Sequence, residues 1–299
     1  MLRDLIFALA TRRPIARTVT SGIGRRVALR FVAGEELADA VEATKRLNSM
    51  GAAASLDYLG EHCTESSIAE ASATTYRWML ERIEKGRLDA NVSVKLTQLG
   101  LDIDQELALG NAALVVMRAA EAGTTVTLDM ENHPYTDRTI DVCLRLADRF
   151  PERVGVALQA YLRRTPEDLE RVVQRRVPVR LCKGAYREPS SIALQSRRDV
   201  DAAFARLATR LMQSEAYPMI ATHDERLIRH AAKVDRSRDS WEIQMLYGVR
   251  RDLQRKLIEE GYRLRVYVPF GREWYPYLAR RIAERPANVR FFAEALLRG

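Results

Sequence analysis

The stretch RVGVALQAYLRRTPEDLERVVQRRVPVRLCKGAY, residues Arg153–Tyr186, decides the fold. It opens on VGVAL, a short β-prone run of valine, leucine and alanine. TPEDLERVV follows, with Thr165 placed to cap a helix and Pro166 at its first position, where a missing N–H costs little. VPVRLC then returns to a β-prone run. Strand, helix, strand is the repeating unit of an α/β protein. Working outward, the unit recurs. AAASLDYLG, NVSVKLTQLG and TTVTLDMENH precede it, and YPMIATHD, SWEIQMLYG and YRLRVYVPFG follow, which makes eight β-prone runs. Amphipathic segments such as ESSIAEASATTYRWMLERIEKG and DQELALGNAALVVMRAAEAG lie between them, with Gly86 and Gly123 placed as stops just past the helices. Eight strand–helix alternations predict a parallel (β/α)8 TIM barrel over an open doubly wound sheet, and no GxGxxG follows an early strand. GEELADAVEATKRLNSMG, ahead of the first run, reads as a helix. Without a linker or low-complexity segment, residues 1–50 are assigned to N-terminal helices packed on the barrel and 51–299 to the barrel itself.

The bulk numbers suit that fold: 299 residues, 47% hydrophobic and 29% charged, are ample for one large domain. A net charge of +8 admits nucleic acid or an anionic membrane as partner. The excess is interspersed with acids, however, and forms no basic tail, so no nucleic-acid partner is expected. Cys63, Cys143 and Cys182 are far apart and odd in number, which argues against a disulfide framework. No metal spacing is present, and no metal is expected. MLRDLIFALATRRP reads as an amphipathic helix ended before Pro14, too short in its uncharged run to span a bilayer. The expected location is cytoplasmic, with at most peripheral contact at the inner face of the membrane.

A barrel carries its chemistry at the C-terminal ends of its strands. Those ends supply Asp57, Lys95, Asp129, Gln159, Lys183, His223, Gln244 and Tyr267. Each alone could be a solvated terminus, but eight polar ends around one mouth point to a ligand pocket. No Ser-His-Asp set, HExxH or P-loop accompanies them. Two strand-end lysines suit a Schiff-base lyase; equally, two lysines with Arg180 suit an anionic cofactor, with Gly184 allowing close backbone approach. Residue types alone leave both open. A basic nucleic-acid binder using RVVQRRVPVR and Arg163–Arg164 is a third reading. Near the end, YLARRIAE places Tyr277, Arg280, Arg281 and Glu284 on one helical face.

VGVALQAYLRRTPEDL and VRLCKGAYRE, together with SVKLTQLG, LDMENH, IATHD, EIQMLYGV, YVPFG and YLARRIAE, closely resemble the proline dehydrogenase family from about Leu56 to Glu284. The likeness is to the single-activity bacterial form, related to the proline dehydrogenase domain of proline utilisation A, since the chain stops where a fused aldehyde dehydrogenase domain would begin. It implies a distorted (β/α)8 barrel whose final helix covers the mouth. It also implies FAD-dependent oxidation of L-proline to Δ1-pyrroline-5-carboxylate, electron transfer to a membrane quinone, and coupling to pyrroline-5-carboxylate dehydrogenase. Flavin contacts carry over onto Ala157, Gln159, Arg180, Lys183, Gly184, Ala185, Thr222 and His223, with Asp129 and Glu284 beside them. Asp224 carries over as an adenosine-side contact, at a position where many relatives have asparagine. Substrate contacts carry over onto Lys95, Tyr186, Leu246, Tyr267, Tyr277, Arg280, Arg281 and Glu284, and catalytic roles onto Lys95, Asp129, Tyr277, Arg280 and Arg281. Permanently charged guanidinium forks suit proline's carboxylate, flat tyrosines suit its ring, and Lys95 and Asp129 are expected to form an ion pair.

Overall fold

The structure, a computed structural model, describes residues 30–274 and Tyr277. Its centre is a closed barrel of eight parallel strands in sequence order. They are β1 (Ala53–Tyr58), β2 (Ala90–Val94), β3 (Val126–Leu128), β4 (Val154–Gln159), β5 (Val179–Cys182), β6 (Pro218–Ala221), β7 (Glu242–Leu246) and β8 (Leu264–Phe270). β1 closes the ring by pairing with both β2 and β8, so that Ser55 stands beside Asn91 on one side and Tyr267 on the other. All eight predicted runs form strands. Burial explains their composition: β2, β3 and β4 are buried along their whole length, with helices outside and neighbours inside.

α1 (Leu37–Ser49) precedes the barrel, and α2 (Ser66–Gly86), α3 (Gln105–Glu121), α4 (Thr136–Arg149), α5 (Thr165–Val173), α6 (Arg197–Met212), α7 (Glu225–Ala231) and α8 (Arg251–Glu259) alternate with the strands. α1 packs on β1 and β8, covering the seam where the barrel closes. One apolar core joins the outer faces of the strands to the inner faces of the helices, including Tyr76, Met79 and Leu80 of α2, Val115 of α3, Ile140 of α4 and Phe204 of α6. Among the described residues no helix is long and apolar enough to cross a membrane.

Two local expectations need correction. Gly86 does not stop α2 from outside; it is the last helical residue, and Arg87 takes the left-handed turn at φ 49°. Gly123 does what its position predicts, at φ +71° beyond the end of α3. Thr165 is not a cap but the first residue of α5, which puts Pro166 second rather than first. Its hydroxyl donates to the Gln159 carbonyl at 2.6 Å, so it ties the start of α5 to the end of β4 instead. The predicted MLRDLIFALATRRP helix, and Arg280, Arg281 and Glu284 with the final helix, lie outside the described residues.

Candidate active site

Side chains alternate along a strand, so polar residues two positions apart share the barrel interior. Here that interior is charged. Arg180 of β5 reaches across the lumen to strands that are not its neighbours. Its Nε donates to Gln244 Oε1 on β7 at 2.6 Å, and its Nη1 to Asp129 Oδ1, just beyond β3, at 2.5 Å. Nη2 donates to Ser93 Oγ on β2 at 2.8 Å and to Ser55 Oγ on β1 at 3.3 Å. A guanidinium has five N–H donors. Among the described residues, one of those on Nη1 is left for another acceptor. Below this level Gln244 Nε2 donates to Glu242, which also accepts from Arg265 of β8 at 2.9 Å.

Above it, three strand ends meet. Lys95, one residue past β2, donates to Asp57 Oδ1 of β1 at 2.8 Å and lies 3.4 Å from Asp129 Oδ2. The expected Lys95–Asp129 pair is present, but Asp57 is the nearer partner. The Tyr267 hydroxyl donates to Asp129 Oδ2 at 2.6 Å, and the Arg180 guanidinium sits 5.3 Å from the centre of the Tyr267 ring. Burial alone would lower the pKa of the Lys95 ammonium; Asp57, then Tyr267 and Asp129, outweigh it and hold the pKa well above the ordinary lysine range. Burial pushes the Asp57 carboxyl up against the pull of Lys95. It also pushes the Tyr267 phenol well up, with Asp129 adding to the effect. The mouth therefore presents a fixed ammonium, a fixed guanidinium and a neutral phenol.

The other predicted contacts form an arc over β4, β5 and β6. Ala157 and Gln159 lie on β4; Gln159 Nε2 donates to the Glu131 carbonyl at 2.8 Å, and its Oε1 faces the Ala185 N–H at 3.4 Å. Lys183, Gly184, Ala185 and Tyr186 follow β5. Gly184 has φ +114°, and an added Cβ would meet the Tyr161 ring at 2.2 Å, so the close approach it permits is to Tyr161. Lys183 donates to Asp201 of α6 at 2.5 Å and lies 3.7 Å from Asp224. Thr222 is buried after β6, and its hydroxyl accepts from the Asp224 N–H at 3.2 Å. Asp224 caps α7 by accepting from the Arg226 N–H at 3.1 Å; the Arg226 guanidinium holds its carboxyl below the usual range. His223 Nε2 accepts from the Leu246 N–H at 2.9 Å, which brings β6 and β7 together at the mouth. Tyr277 is buried.

Reasoning from sequence missed several members of this network: Ser55 and Ser93 under Arg180, Glu131 behind Gln159, and Asp201 beside Lys183. Asp57 and Gln244 were named only as strand ends. The signal for the serines was there, since each stands two residues before a charged strand end. Conversely, three arginines of the basic stretch are paired locally: Arg164 and Arg171 bind Asp137 and Asp168, and Arg175 binds Asp148. Among the described residues no group of three or more histidine, cysteine or acidic side chains is placed to hold a metal.

Comparison with known proteins agrees with this arrangement. The model of the family described as proline dehydrogenase matches residues 40–294. The chain is 39% identical over 281 residues to Proline dehydrogenase of Deinococcus radiodurans, covering 91% of each, and 36% identical over 302 residues to Proline dehydrogenase 1 of Bacillus subtilis subsp. natto, covering 100% of each. Among solved structures, proline utilization A from Bdellovibrio bacteriovorus inactivated by N-propargylglycine superposes with a TM-score of 0.81 at 25% identity; the match covers 87% of this chain and 33% of that longer one. The chain belongs to the proline dehydrogenase family.

Proposed function

We propose that this barrel mouth oxidises L-proline to Δ1-pyrroline-5-carboxylate, with FAD as the bound acceptor and a membrane quinone as the electron sink. The observation that carries the reading is the buried Asp57–Lys95–Asp129–Arg180–Tyr267 cluster at the mouth of a barrel from this family. Relatives named for proline dehydrogenation support the substrate. The cyclic imine product would pass to pyrroline-5-carboxylate dehydrogenase.

The residues fit a flavin dinucleotide. An Arg180 N–H with no acceptor among the described residues, the Lys183 ammonium, the Gln159 amide and the Thr222 hydroxyl lie along one arc of adjacent strands, a donor set suited to a ring carbonyl and an anionic linker. FAD, when bound there, supplies the hydride-accepting ring. The chain's own residues do the rest. Arg280 and Arg281, outside the described residues, are assigned to proline's carboxylate, with Glu284 holding them. Tyr267 and Tyr277 wall the small ring, and Tyr186 and Leu246 complete its enclosure, so that the C5–H bond has one direction in which to point. Lys95 stays cationic and fixes the field at the mouth. Asp129 accepts from Arg180 and Tyr267 and orients both, with Lys95 3.4 Å away.

The same geometry speaks against the two rivals. A Schiff-base lysine must lose its proton to attack a carbonyl. Lys95 is held protonated by its carboxylates, and Lys183 is paired with Asp201. Nucleic-acid binding by the basic stretch needs free cations, whereas its Arg164, Arg171 and Arg175 are paired. Turnover of proline with a soluble quinone analogue, with the imine trapped by an aromatic amino-aldehyde, tests the proposal. A trapped imine formed in step with quinone reduction is expected; quinone reduction without imine, or neither, would refute it.

A further inference from the structure

Asp57 is placed on neither substrate nor cofactor above, yet its placement is unusual. It is completely buried on β1, one residue before the strand ends. Oδ1 accepts from Lys95 at 2.8 Å, and Oδ2 has no hydrogen-bond partner among the described residues. A buried carboxylate with an unused oxygen is costly, and such a group persists where a charge opposite it has to be held. Asp129 cannot hold Lys95 alone. It is 3.4 Å away, and its oxygens already take the Arg180 guanidinium at 2.5 Å and the Tyr267 hydroxyl at 2.6 Å.

We infer that Asp57 is the positioning residue of the active site: it anchors the Lys95 ammonium from beneath the barrel mouth, leaving Asp129 to orient Arg180 and Tyr267. Asp57 itself is too deep to touch substrate and acts through Lys95. The groups facing Lys95 from the elements around it are Asp57 of β1, Tyr76 of α2, Asp129 and Glu131 after β3, Arg180 of β5 and Tyr267 of β8. Of these, Asp57 exerts the largest pull on the lysine proton. Removing its charge while keeping its shape leaves burial less opposed, so Lys95 becomes easier to deprotonate.

The inference rests on the proline-oxidising reading, and the experiment separates the two. Parent, Asp57→Asn, Lys95→Met and the Asp57→Asn/Lys95→Met double variant are assayed with proline from pH 6 to 11, and thermal unfolding of each is recorded. Asp57→Asn is expected to lower kcat/KM about 10- to 100-fold, in the upper part of the span of coupling between contacting groups. It is also expected to add an alkaline limb to the pH profile that the parent lacks. In the Lys95→Met background the same change should cost no further activity and should lower the unfolding midpoint by less than it does in the parent, because the ion pair it would break is already gone. Equal losses in both backgrounds, or an unchanged pH profile, would overturn the inference. If Asp57→Asn does not accumulate, Lys95→Met against the double variant decides: a further drop of about tenfold in the double variant would refute the anchoring role. A parent that does not turn over proline at any pH would refute the functional reading instead, while the stability comparison would still test the anchor.

Discussion

Replacing Asp129 by asparagine should destabilise the barrel measurably, by an amount set by its two short contacts. The carboxylate accepts from Arg180 Nη1 at 2.5 Å and from the Tyr267 hydroxyl at 2.6 Å, with Lys95 at 3.4 Å. Asparagine keeps the size but puts an N–H2 where one oxygen was, so a donor opposes a donor whichever way the amide turns. It also removes Arg180's only carboxylate partner among the described residues, in a place where that residue is 5% exposed. Breaking a buried ion pair on one side costs about 3–5 kcal/mol. Unfolding entropy of about 2.1 cal/mol/K per residue gives roughly 0.6 kcal/mol/K for this chain, so the midpoint should fall by about 5–8 °C. Tyr267→Phe removes one hydrogen bond to a charged group, about 1.5–3 kcal/mol, and should therefore fall by less. Calorimetry on the parent and both variants checks the order. An Asp129→Asn midpoint within about 1 °C of the parent would show that the lumenal network does not hold the barrel together as described.

Gly184→Ala should cost more than about 2 kcal/mol in urea unfolding, because φ +114° and the Tyr161 ring both oppose a Cβ. Adding Tyr161→Ala should relieve the clash but not the backbone strain, and full recovery would contradict that division. The Lys95 pKa is raised in the folded state, so its contribution to stability is fully present below about pH 10.4, the unfolded value, and is lost as pH rises from there through the folded value. The stability gap between the parent and Lys95→Met should therefore narrow above that pH, and a gap constant to pH 11 would count against it. Tyr277→Ser should raise kcat/KM for hydroxyproline relative to proline; an unchanged ratio would remove Tyr277 from the substrate wall.

The barrel was legible because both of its periodicities were written plainly. Valine-rich runs such as VGVAL and RLRVYV alternate with amphipathic segments, and each run ends on a polar residue. Asp57, Lys95 and Asp129 could be found that way because each breaks an apolar run at its end. Their pairing could not, since it depends on the stagger of β1, β2 and β3 around a closed ring. Arg180 looked like a cofactor ligand in sequence; its length lets it cross the lumen to Ser55 and Ser93, which no local pattern encodes. Thr165 failed as a cap for a related reason: a hydroxyl can donate as well as accept, and the Gln159 carbonyl was within reach.

The most direct test of the central claim is a visible spectrum of the purified protein, recorded without oxygen before and after addition of proline. The account predicts a flavin spectrum whose long-wavelength band bleaches with proline and returns when a quinone is added. A colourless protein with full Lys95 and Arg180 networks, or a flavin that proline leaves oxidised, would contradict it.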